Sequence, residues 1–472
     1  MLNPEQKKVL KLFHQAAKDI PAYQVFLKKH KIKSRKIKAW KDFQKIPLMD
    51  KKNYLRVYPY VDLFPKKKIP PIISMSSGSS GKPFYWPRGF DQEERGGKIH
   101  EIIFRNIFKI GSKRTLVIVC FSMGTWIAGT FTASCCRYIA QKSYNLSIAT
   151  PGIEKEDALS ILKDFAPNFE TVILAGYPPF LMDIIDEANQ RKINLKKLNL
   201  RLLFAGENFS EKWRDVIHEM ASMPKTLDRS VSIYGTADAD ILGHETPLSV
   251  FLRKKANINR NFAEAFFGKI SFIPTLVQYY PMEKFFESVN GKLIFTSAAG
   301  IPLIRYNIQD TGKLISYSEA MKLIREFGFE KEIKKRGLDK WKLPFLTLGG
   351  RKDVSVTFYA LNIYPENIKS GLEDDFVSKY LSGKFIASTK SVNKGKNQKL
   401  IIKVELARNT EPTENIKELA EQIIFEHLLK LNIEYRKLYS SISKKALPQI
   451  ELIPFGDPIF QVKKSKHGWV RR

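Results

Sequence analysis

The chain has 472 residues, 43% of them hydrophobic, and a formal net charge of +31. This length exceeds a single small core, so we expect at least two domains, and the hydrophobic fraction is ordinary for a globular protein. Three cysteines cannot build a disulfide framework or an all-cysteine zinc site, and no basic stretch followed by an apolar one opens the chain. We therefore expect a cytoplasmic protein without a secretory signal.

The positive charge is scattered along the chain. Short clusters such as residues 66–68 and the pairs Lys28-Lys29 and Lys334-Lys335 recur without a known DNA-binding motif. Because patterning rather than total charge makes a nucleic-acid site, a general lysine bias is favoured over a specific nucleic-acid partner. A surface of this sign would still attract anionic substrates.

Residues 1–70 are typical of helices and connections. Ala22, Val25 and Phe26 have helical spacing and predict a helix over residues 21–30.

Residues 115–136 carry no charge, and this uncharged stretch is long enough to span a membrane. Gly124 and Gly129 dilute the apolar character, so we favour a buried strand over 116–121, a turn and a helix, and expect no membrane contact.

Residues 74–82 are the main candidate for an anion site. They contain five serines, two glycines (Gly78, Gly81) and Lys82. Glycines let backbone N–H groups converge on an anion, hydroxyls add donors, and lysine adds a positive charge. The spacing is not that of G-x-x-x-x-G-K-[ST], and Pro83 argues against a helix directly after Lys82. A flexible surface linker is the alternative.

Apolar runs at residues 116–121, 171–175, 200–205 and 230–233 alternate with helix-like segments at 154–165, 180–190 and 211–222. This alternation predicts βαβ units and a parallel sheet, where ligands bind beyond the carboxyl ends of the strands. Two of the runs lead into candidate loops. One contains Gly206 and Glu207, with Ser210 placed to start the next helix, and an ordinary glycine turn with a solvated glutamate is the alternative. The other contains Tyr234, Gly235 and Asp238.

The second half of the chain carries three further candidates. Residues 271–315 predict a β-rich region that contains Asp310, for which a β-turn aspartate before Gly312 is the alternative. Gly349-Gly350 supplies the free dihedrals of a hinge. After it, strands are predicted at 399–405 and 449–454, a helix at 414–431 and a hairpin connection at 393–396. The basic tail at 463–467 is either a solvated tail or part of a site.

Taken together and in this order, these stretches resemble the motifs of the adenylate-forming enzymes. Residues 76–83 are similar to the S-S-G-T-T-G-K-P phosphate loop, 234–238 to Y-G-x-T/S-E, 305–310 to R-Y-x-x-G-D and 349–353 to G-R-x-D. The stretch F-x-x-I-P-L-x-x-K ending at Lys51, the Gly206-Glu207 turn and residues 362–368 are closest to the phenylacetate–CoA ligase branch. We draw no chemistry from the stretch that ends at Lys51.

The resemblance implies an α/β fold. It comprises a large multi-layer N-terminal domain over residues 1–348, with parallel-rich sheets and a β-rich subdomain. A hinge follows at 349–353, with Asp353 as pivot, and then a small, mobile α+β C-terminal domain over 354–472.

The resemblance also implies the site residues. Tyr234 would stack on adenine, Asp310 would bind the ribose hydroxyls and Asp238 would meet Mg²⁺, with Asp240 and Glu245 as competing ligands. Lys466 would be the catalytic lysine, with Lys463 and Lys464 as alternatives, beside Lys82 and Asp238. The residues expected to bind ATP or AMP are Ser76, Ser77, Gly78, Ser79, Ser80, Gly81, Lys82, Gly206, Glu207, Tyr234, Gly235, Asp310 and Arg351.

The implied reaction is ATP-dependent activation of a small carboxylic acid, followed by transfer to a thiol of coenzyme A. Ala360 replaces a glycine that lines the pantetheine path in relatives, which favours a carrier protein or an amine as acceptor. Ala237 and Gln309 also depart from the motifs, so a catalytically degenerate relative is an alternative, as is a basic nucleic-acid-binding protein. Residues 121–126, 177–179 and 236–245 are candidates for the acid pocket, and a homodimer is left open.

Overall fold

The computed structural model describes residues 2–76, 84–268, 270, 272–349, 355–359, 361–392, 397–461 and 469–471. They form two compact units, Met1–Phe266 with Thr275–Gly349, and Phe267–Pro274 with Gly350–Arg472. Each unit contains helices and strands, which confirms the α/β class.

The strands up to residue 349 follow the predicted apolar runs closely. The run predicted at 200–205 is a strand with the same bounds, whereas the strand at 146–149 was not expected because its four residues are all partly exposed and lack a distinct apolar pattern. The strands are β1 (Ile72–Met75), β2 (Tyr85–Arg88), β3 (Thr115–Cys120), β4 (Leu146–Ala149), β5 (Thr171–Gly176), β6 (Leu200–Ala205), β7 (Ser230–Thr236), β8 (Asp240–His244), β9 (Thr275–Gln278), β10 (Phe285–Val289), β11 (Lys292–Ser297), β12 (Leu303–Thr311), β13 (Leu314–Ile315) and β14 (Phe345–Leu348).

The helices of this region begin at proline or at capping residues in several cases. Ser210, predicted to start a helix, accepts the backbone N–H of Trp213 at 3.0 Å. The helices are α1 (Pro4–Asp19), α2 (Pro21–Lys29), α3 (Trp40–Phe43), α4 (Phe90–Ile102), α5 (Ile127–Ala140), α6 (Lys155–Ser160), α7 (Pro178–Gln190), α8 (Glu211–Met220), α9 (Pro247–Ile258), α10 (Arg260–Phe267), α11 (Tyr317–Glu326) and α12 (Glu330–Lys335).

The main sheet has nine strands among the described residues, in the order β13-β14-β9-β8-β7-β6-β5-β3-β4. Strands β4, β3, β5, β6 and β7 run parallel to their neighbours, and pairing becomes antiparallel from β7 to β8 onward. Every residue of β3 and β5 is buried, as expected for parallel strands covered on both faces. The parallel half aligns the carboxyl ends of β5, β6 and β7 along one edge.

A three-stranded antiparallel sheet, β10-β11-β12, forms the β-rich part of the first unit. The N-terminal segment pairs with its last strand. Met49 accepts the N–H of Asn307 at 2.8 Å and donates to the carbonyl of Arg305 at 3.2 Å. The Arg305 guanidinium also donates to the carbonyl of Ile46 at 2.5 Å. These bonds fix the chain around residues 46–51 against β12.

The second unit is built on a four-stranded sheet, with helices packed against it. The helix predicted at 414–431 has those bounds, and the predicted hairpin connection at 393–396 lies outside the described residues. The elements are β15 (Val356–Phe358), β16 (Leu361–Ile363), α13 (Pro365–Leu372), β17 (Leu381–Val392), β18 (Asn397–Leu406), α14 (Glu414–Leu431), α15 (Ile433–Ile442), β19 (Pro448–Ile453) and β20 (Val470–Arg471).

Residues 115–136, the uncharged stretch of the sequence, form β3 and most of α5. Across the described part of the chain, every helix is too short or too polar to cross a bilayer.

Candidate functional site

The predicted phosphate loop sits on the hairpin formed by β1 and β2. Ser76 follows β1, and its backbone N–H donates to the carbonyl of Phe84 at 3.0 Å. The N–H of Phe84 donates back to the Ser76 hydroxyl at 3.0 Å. Ser76 and Phe84 thus hold the two ends of the loop together. The intervening candidates lie outside the described residues, and phosphate binding there stays a prediction; they are Ser77, Gly78, Ser79, Ser80, Gly81 and Lys82.

Tyr234 and Asp310 meet, although they belong to different sheets. The Tyr234 hydroxyl donates a hydrogen bond to the Asp310 carboxylate. Tyr234 and Gly235 lie inside β7 rather than after it, because β7 continues to Thr236 and pairs with β8. A half-buried aromatic ring and a buried carboxylate are therefore in direct contact within the first unit.

A bulge in β12 directs Asp310. Lys292 and Ile294 of β11 are two residues apart, whereas their partners on β12, Thr311 and Asn307, are four residues apart. The extra residues of β12 form the bulge. Gln309, where the motif has glycine, takes a left-handed conformation with φ of 72°. That conformation favours glycine and explains the motif. The β-turn alternative for Asp310 is wrong, since it lies within the strand.

Asp238 lies in the β7–β8 connection and has two neighbours of interest. The Tyr306 hydroxyl donates to Asp238 Oδ2 at 2.5 Å, and Lys51 Nζ lies 3.4 Å from the same oxygen. Asp238 is 6% exposed, whereas the Lys51 side chain is 32% exposed. The Lys51 ammonium also lies 5.5 Å from the ring centroid of Trp86 on β2. A cation that is accessible to solvent is thereby held against β2, the strand that follows the predicted phosphate loop.

Gly206 and Glu207 follow β6 at the shared edge of the parallel strands. Gly206 has φ of 97°, a conformation that L residues rarely adopt. The Tyr177 hydroxyl, after β5, donates to Glu207 Oε2. The alternative of a solvated glutamate is therefore wrong, because Glu207 is half-buried and bonded.

Asp240, the first competitor for the metal, is engaged by other side chains. Lys284 Nζ lies 3.1 Å from Oδ1, and Gln92 Nε2 donates to Oδ2 at 2.7 Å. Burial lowers the pKa of Lys284, and the charge of Asp240 opposes that change. Both carboxylate oxygens of Asp240 thus have protein partners.

Glu245, the second competitor, belongs to a fully buried ion cluster with Glu211, Arg214 and Arg253. Glu245 Oε1 lies 2.7 Å from Arg214 and 3.0 Å from Arg253. Its Oε2 accepts the backbone N–H of Ser232 at 2.8 Å. Glu211 bridges the same two arginines at 2.9 and 2.6 Å. We name these four residues the scaffold cluster. Their side chains are 0 to 3% exposed, so Glu245 is not accessible to a ligand.

Sequence reasoning missed Lys51, Tyr306 and Trp86. The lysine was visible as the last residue of F-x-x-I-P-L-x-x-K, and Tyr306 as the second residue of R-Y-x-x-G-D. Neither pattern indicated that the two side chains share Asp238, because that contact depends on the pairing of Met49 with β12.

Several predicted residues lie outside the described part of the chain, and their roles stay predictions; they are Arg351, Asp353, Ala360, Lys463, Lys464 and Lys466. Among the described residues, no group of three His, Cys, Asp or Glu side chains could hold a metal ion. The three cysteines are free and buried.

Comparison with known proteins gives matches in structure. No protein-family model matches the sequence, and no curated protein matches it. A 2-hydroxyisobutyryl-CoA ligase in complex with 2-HIB-AMP has 14% identity and a TM-score of 0.69 over 98% of this chain and 88% of that one. The acyl acid amido synthetase AtGH3.15, in complex with 2,4-DB, has 14% identity and a TM-score of 0.61 over 97% and 87%.

A third solved structure, the anthranilate CoA ligase AuaEII in complex with anthranoyl-AMP, has 12% identity and a TM-score of 0.51. The match covers 81% of this chain and 63% of that one. Likeness at these identities concerns the fold. It confirms the predicted resemblance to adenylate-forming enzymes at the level of the fold, over 97 to 98% of this chain.

Proposed function

We propose, from the fold shared with adenylate-forming ligases, that this protein uses ATP to convert a carboxylic acid to an acyl-adenylate. The observation that carries the proposal is the hydrogen bond between Tyr234 and Asp310. Two motifs that the sequence places far apart, one on β7 and one on β12, meet in one corner of the first unit. A protein that bound nucleic acid through charge alone would have no need of this contact.

The nucleoside is bound, in this proposal, by the ends of β6, β7 and β12. The ring of Tyr234 stacks on adenine, and the Asp310 carboxylate accepts hydrogen bonds from the ribose hydroxyls, for which its paired oxygens are suited. Gly206 and Glu207, tied to Tyr177, lie at the same edge of the sheet.

In the first step, an oxygen of the substrate carboxylate forms a bond to the α-phosphorus of ATP. The bond from that phosphorus to the bridging oxygen breaks, and pyrophosphate leaves with the electron pair. This chemistry requires stabilisation of negative charge more than covalent help. Lys51 provides one positive charge in the described structure, while Lys82 and Lys466 are assigned to this task from their motifs. Mg²⁺ bound to the triphosphate would add charge neutralisation.

In the second step, a thiol of coenzyme A, the first candidate for the acceptor, loses its proton and forms a bond to the acyl carbon. The bond from that carbon to the phosphate oxygen breaks, and AMP leaves with the electron pair. Two of the similar structures are CoA ligases and one is an amido synthetase, so the fold serves both thiol and amine acceptors. Ala360 supports the alternative of a carrier protein or an amine. Asp353 is the proposed pivot between the two steps.

The test is ATP–pyrophosphate exchange with a panel of aryl, hydroxy and aliphatic acids, followed by a screen of thiol and amine acceptors. We expect exchange with at least one acid. Asp310→Asn should weaken ATP binding by about 10- to 100-fold, since it removes charge-assisted hydrogen bonds. The exposed Asp164→Asn serves as control and should bind ATP as the wild type does. Wild-type affinity in Asp310→Asn would contradict the proposal.

Lys466→Ala tests the tail lysine separately. We expect exchange to fall by about two orders of magnitude or more while ATP still binds, because the lysine acts on the charge of the transition state. Unchanged pyrophosphate release would assign the role to Lys463 or Lys464. The variants Lys463→Ala and Lys464→Ala then test each of these residues.

A further inference from the structure

We propose that Asp238 is a positioning residue that holds Lys51, rather than a ligand of magnesium. The Lys51 ammonium is then the fixed positive charge that the first unit presents to an anionic group of the substrate. This inference rests on the proposed function and deepens it, because it reassigns the carboxylate that the motif gives to the metal.

One oxygen of the Asp238 carboxylate already has two protein partners. This oxygen, Oδ2, accepts the Tyr306 hydroxyl at 2.5 Å and faces Lys51 Nζ at 3.4 Å. Tyr306 is 1% exposed and its ring is packed, so its hydroxyl is held in place. A metal ion at this oxygen would have to displace an ammonium and disrupt a buried hydrogen bond, which leaves buried polar groups unpaired.

Lys51 is held from several sides. Met49 pairs with β12 next to Tyr306, which brings the following residues to Asp238. Asp50 accepts the N–H groups of Lys52 and Asn53 at 2.7 Å each and so fixes the local turn. Trp86 lies under the ammonium at 5.5 Å. The backbone of Lys51 is thus set by hydrogen bonds and its charge by two neighbours.

An ammonium group can bind more than one partner, since it carries three N–H donors. The contact of Lys51 with Asp238 is an ion pair at 3.4 Å. The Lys51 side chain is 32% exposed, so its other donors can reach an incoming phosphate or carboxylate oxygen. An ammonium group that lies between a protein carboxylate and a bound anion is attracted to both.

The two competing carboxylates are paired with other cations of the protein. Asp240 is paired with Lys284 at 3.1 Å, and Glu245 is paired with Arg214 and Arg253. Each acidic side chain that the motif offers to a metal therefore already faces a protein cation. Magnesium would then enter as a chelate of the triphosphate, a form in which it keeps water and phosphate ligands.

The experiment measures Kd for ATP by calorimetry in EDTA and in excess MgCl2. The variants are Asp238→Asn, Lys51→Met and the double variant, with the exposed neighbour Lys52→Met as control. We expect Lys51→Met to weaken binding in EDTA by about tenfold, the value of one charge-assisted hydrogen bond, and Lys52→Met to leave it unchanged. Asp238→Asn should alter affinity in the wild-type background and not in the Lys51→Met background.

The magnesium dependence separates the two roles of Asp238. If Asp238 holds Lys51, the ratio of Kd in EDTA to Kd in MgCl2 is the same in Asp238→Asn as in the wild type. A ratio that falls by about tenfold or more, the usual effect of losing a group that tunes a metal site, would overturn the inference. Equal effects of Asp238→Asn in both backgrounds would overturn it as well.

Tyr306→Phe gives a second route if Asp238→Asn does not fold. It removes the hydroxyl that holds the same oxygen and keeps the buried ring, and it should also lose its effect on ATP affinity once Lys51 is methionine. Absence of ATP binding by the wild-type protein would sink the proposed function itself. ATP binding with a magnesium ratio controlled by Asp238 would sink only this inference.

Discussion

The first unit contains two groups of charged side chains that differ in how completely they are paired. In the scaffold cluster, two glutamates and two arginines are 0 to 3% exposed and bridge one another. Around Asp238, one lysine that is 32% exposed faces one carboxylate that is 6% exposed. The first group leaves no access for a ligand, and the second does.

The choice of cation matches this difference. Arginine presents a planar fork of donors that can bridge two carboxylates, so Arg214 and Arg253 suit a buried network. Lysine is a compact charge on a flexible stem, and its donors can be redirected to a new partner. Charged residues thus stabilise the fold in one place, and in the other an ammonium accessible to solvent is available for the ligand binding proposed above.

The largest expected effect is on the scaffold cluster. Glu245→Gln should lower the free energy of unfolding by about 3 to 5 kcal/mol, because it leaves two buried arginines short of a counter-charge. Urea denaturation at neutral pH measures this. A loss similar to that of Asp238→Asn would show that the two groups do not differ in the way described.

The next effect is expected in acid at His218, a buried histidine on whose pKa Arg214 of the scaffold cluster acts. Burial, and then the charge of Arg214, lower the pKa of His218 to about 4, and its Nε2 lies 2.9 Å from the Ser230 hydroxyl. Asp215, Lys254 and Glu211 also act on it, with Asp215 and Glu211 opposing the shift.

The folded pKa of His218 lies below the unfolded value of about 6.5, so the unfolded chain binds the proton first. The stability from neutral His218 is complete above pH 6.5 and is lost as pH falls toward 4, by about 3 kcal/mol in total. Denaturation curves across this window should show a smaller slope in His218→Gln. An identical slope in the variant would contradict the assignment.

A smaller effect is expected at the site. Asp238→Asn should change the free energy of unfolding by about 1 kcal/mol or less, as for ion pairs with a partner near solvent, while it alters ATP binding as described above. Thermal melting and calorimetry on the same sample measure both. A destabilisation as large as that of Glu245→Gln would make Asp238 a structural residue.

The smallest effect is expected for a pair on the surface. Arg191 bridges Glu156 with two bonds of 2.7 and 2.8 Å, yet both side chains are exposed. Glu156→Gln should leave the melting temperature unchanged, because water and salt screen such a pair. A clear drop would show that geometry rather than burial separates the charged groups of this protein.

Local patterns were sufficient for most elements. The strand at 200–205 and the helix at 414–431 have the bounds that their apolar residues predict, because the strand is a continuous buried run and the helix buries one face. The pattern predicts the motif with Tyr234 after a strand, but it lies within one, because pairing with β8 extends β7 to Thr236. The end of β7 therefore depends on its neighbour β8 and is not encoded in the apolar run alone.

The candidate site divides in the same way. The chain itself determined which residue types occur in each motif, including Tyr234 and Asp310, whereas the left-handed conformation of Gln309 was visible only in the structure. Tertiary structure decided which carboxylates are taken: the scaffold cluster claims Glu245, Lys284 claims Asp240, and Lys51 reaches Asp238. The physical reason is that a carboxylate's role depends on the charges and the solvent around it, and the fold alone brings those together.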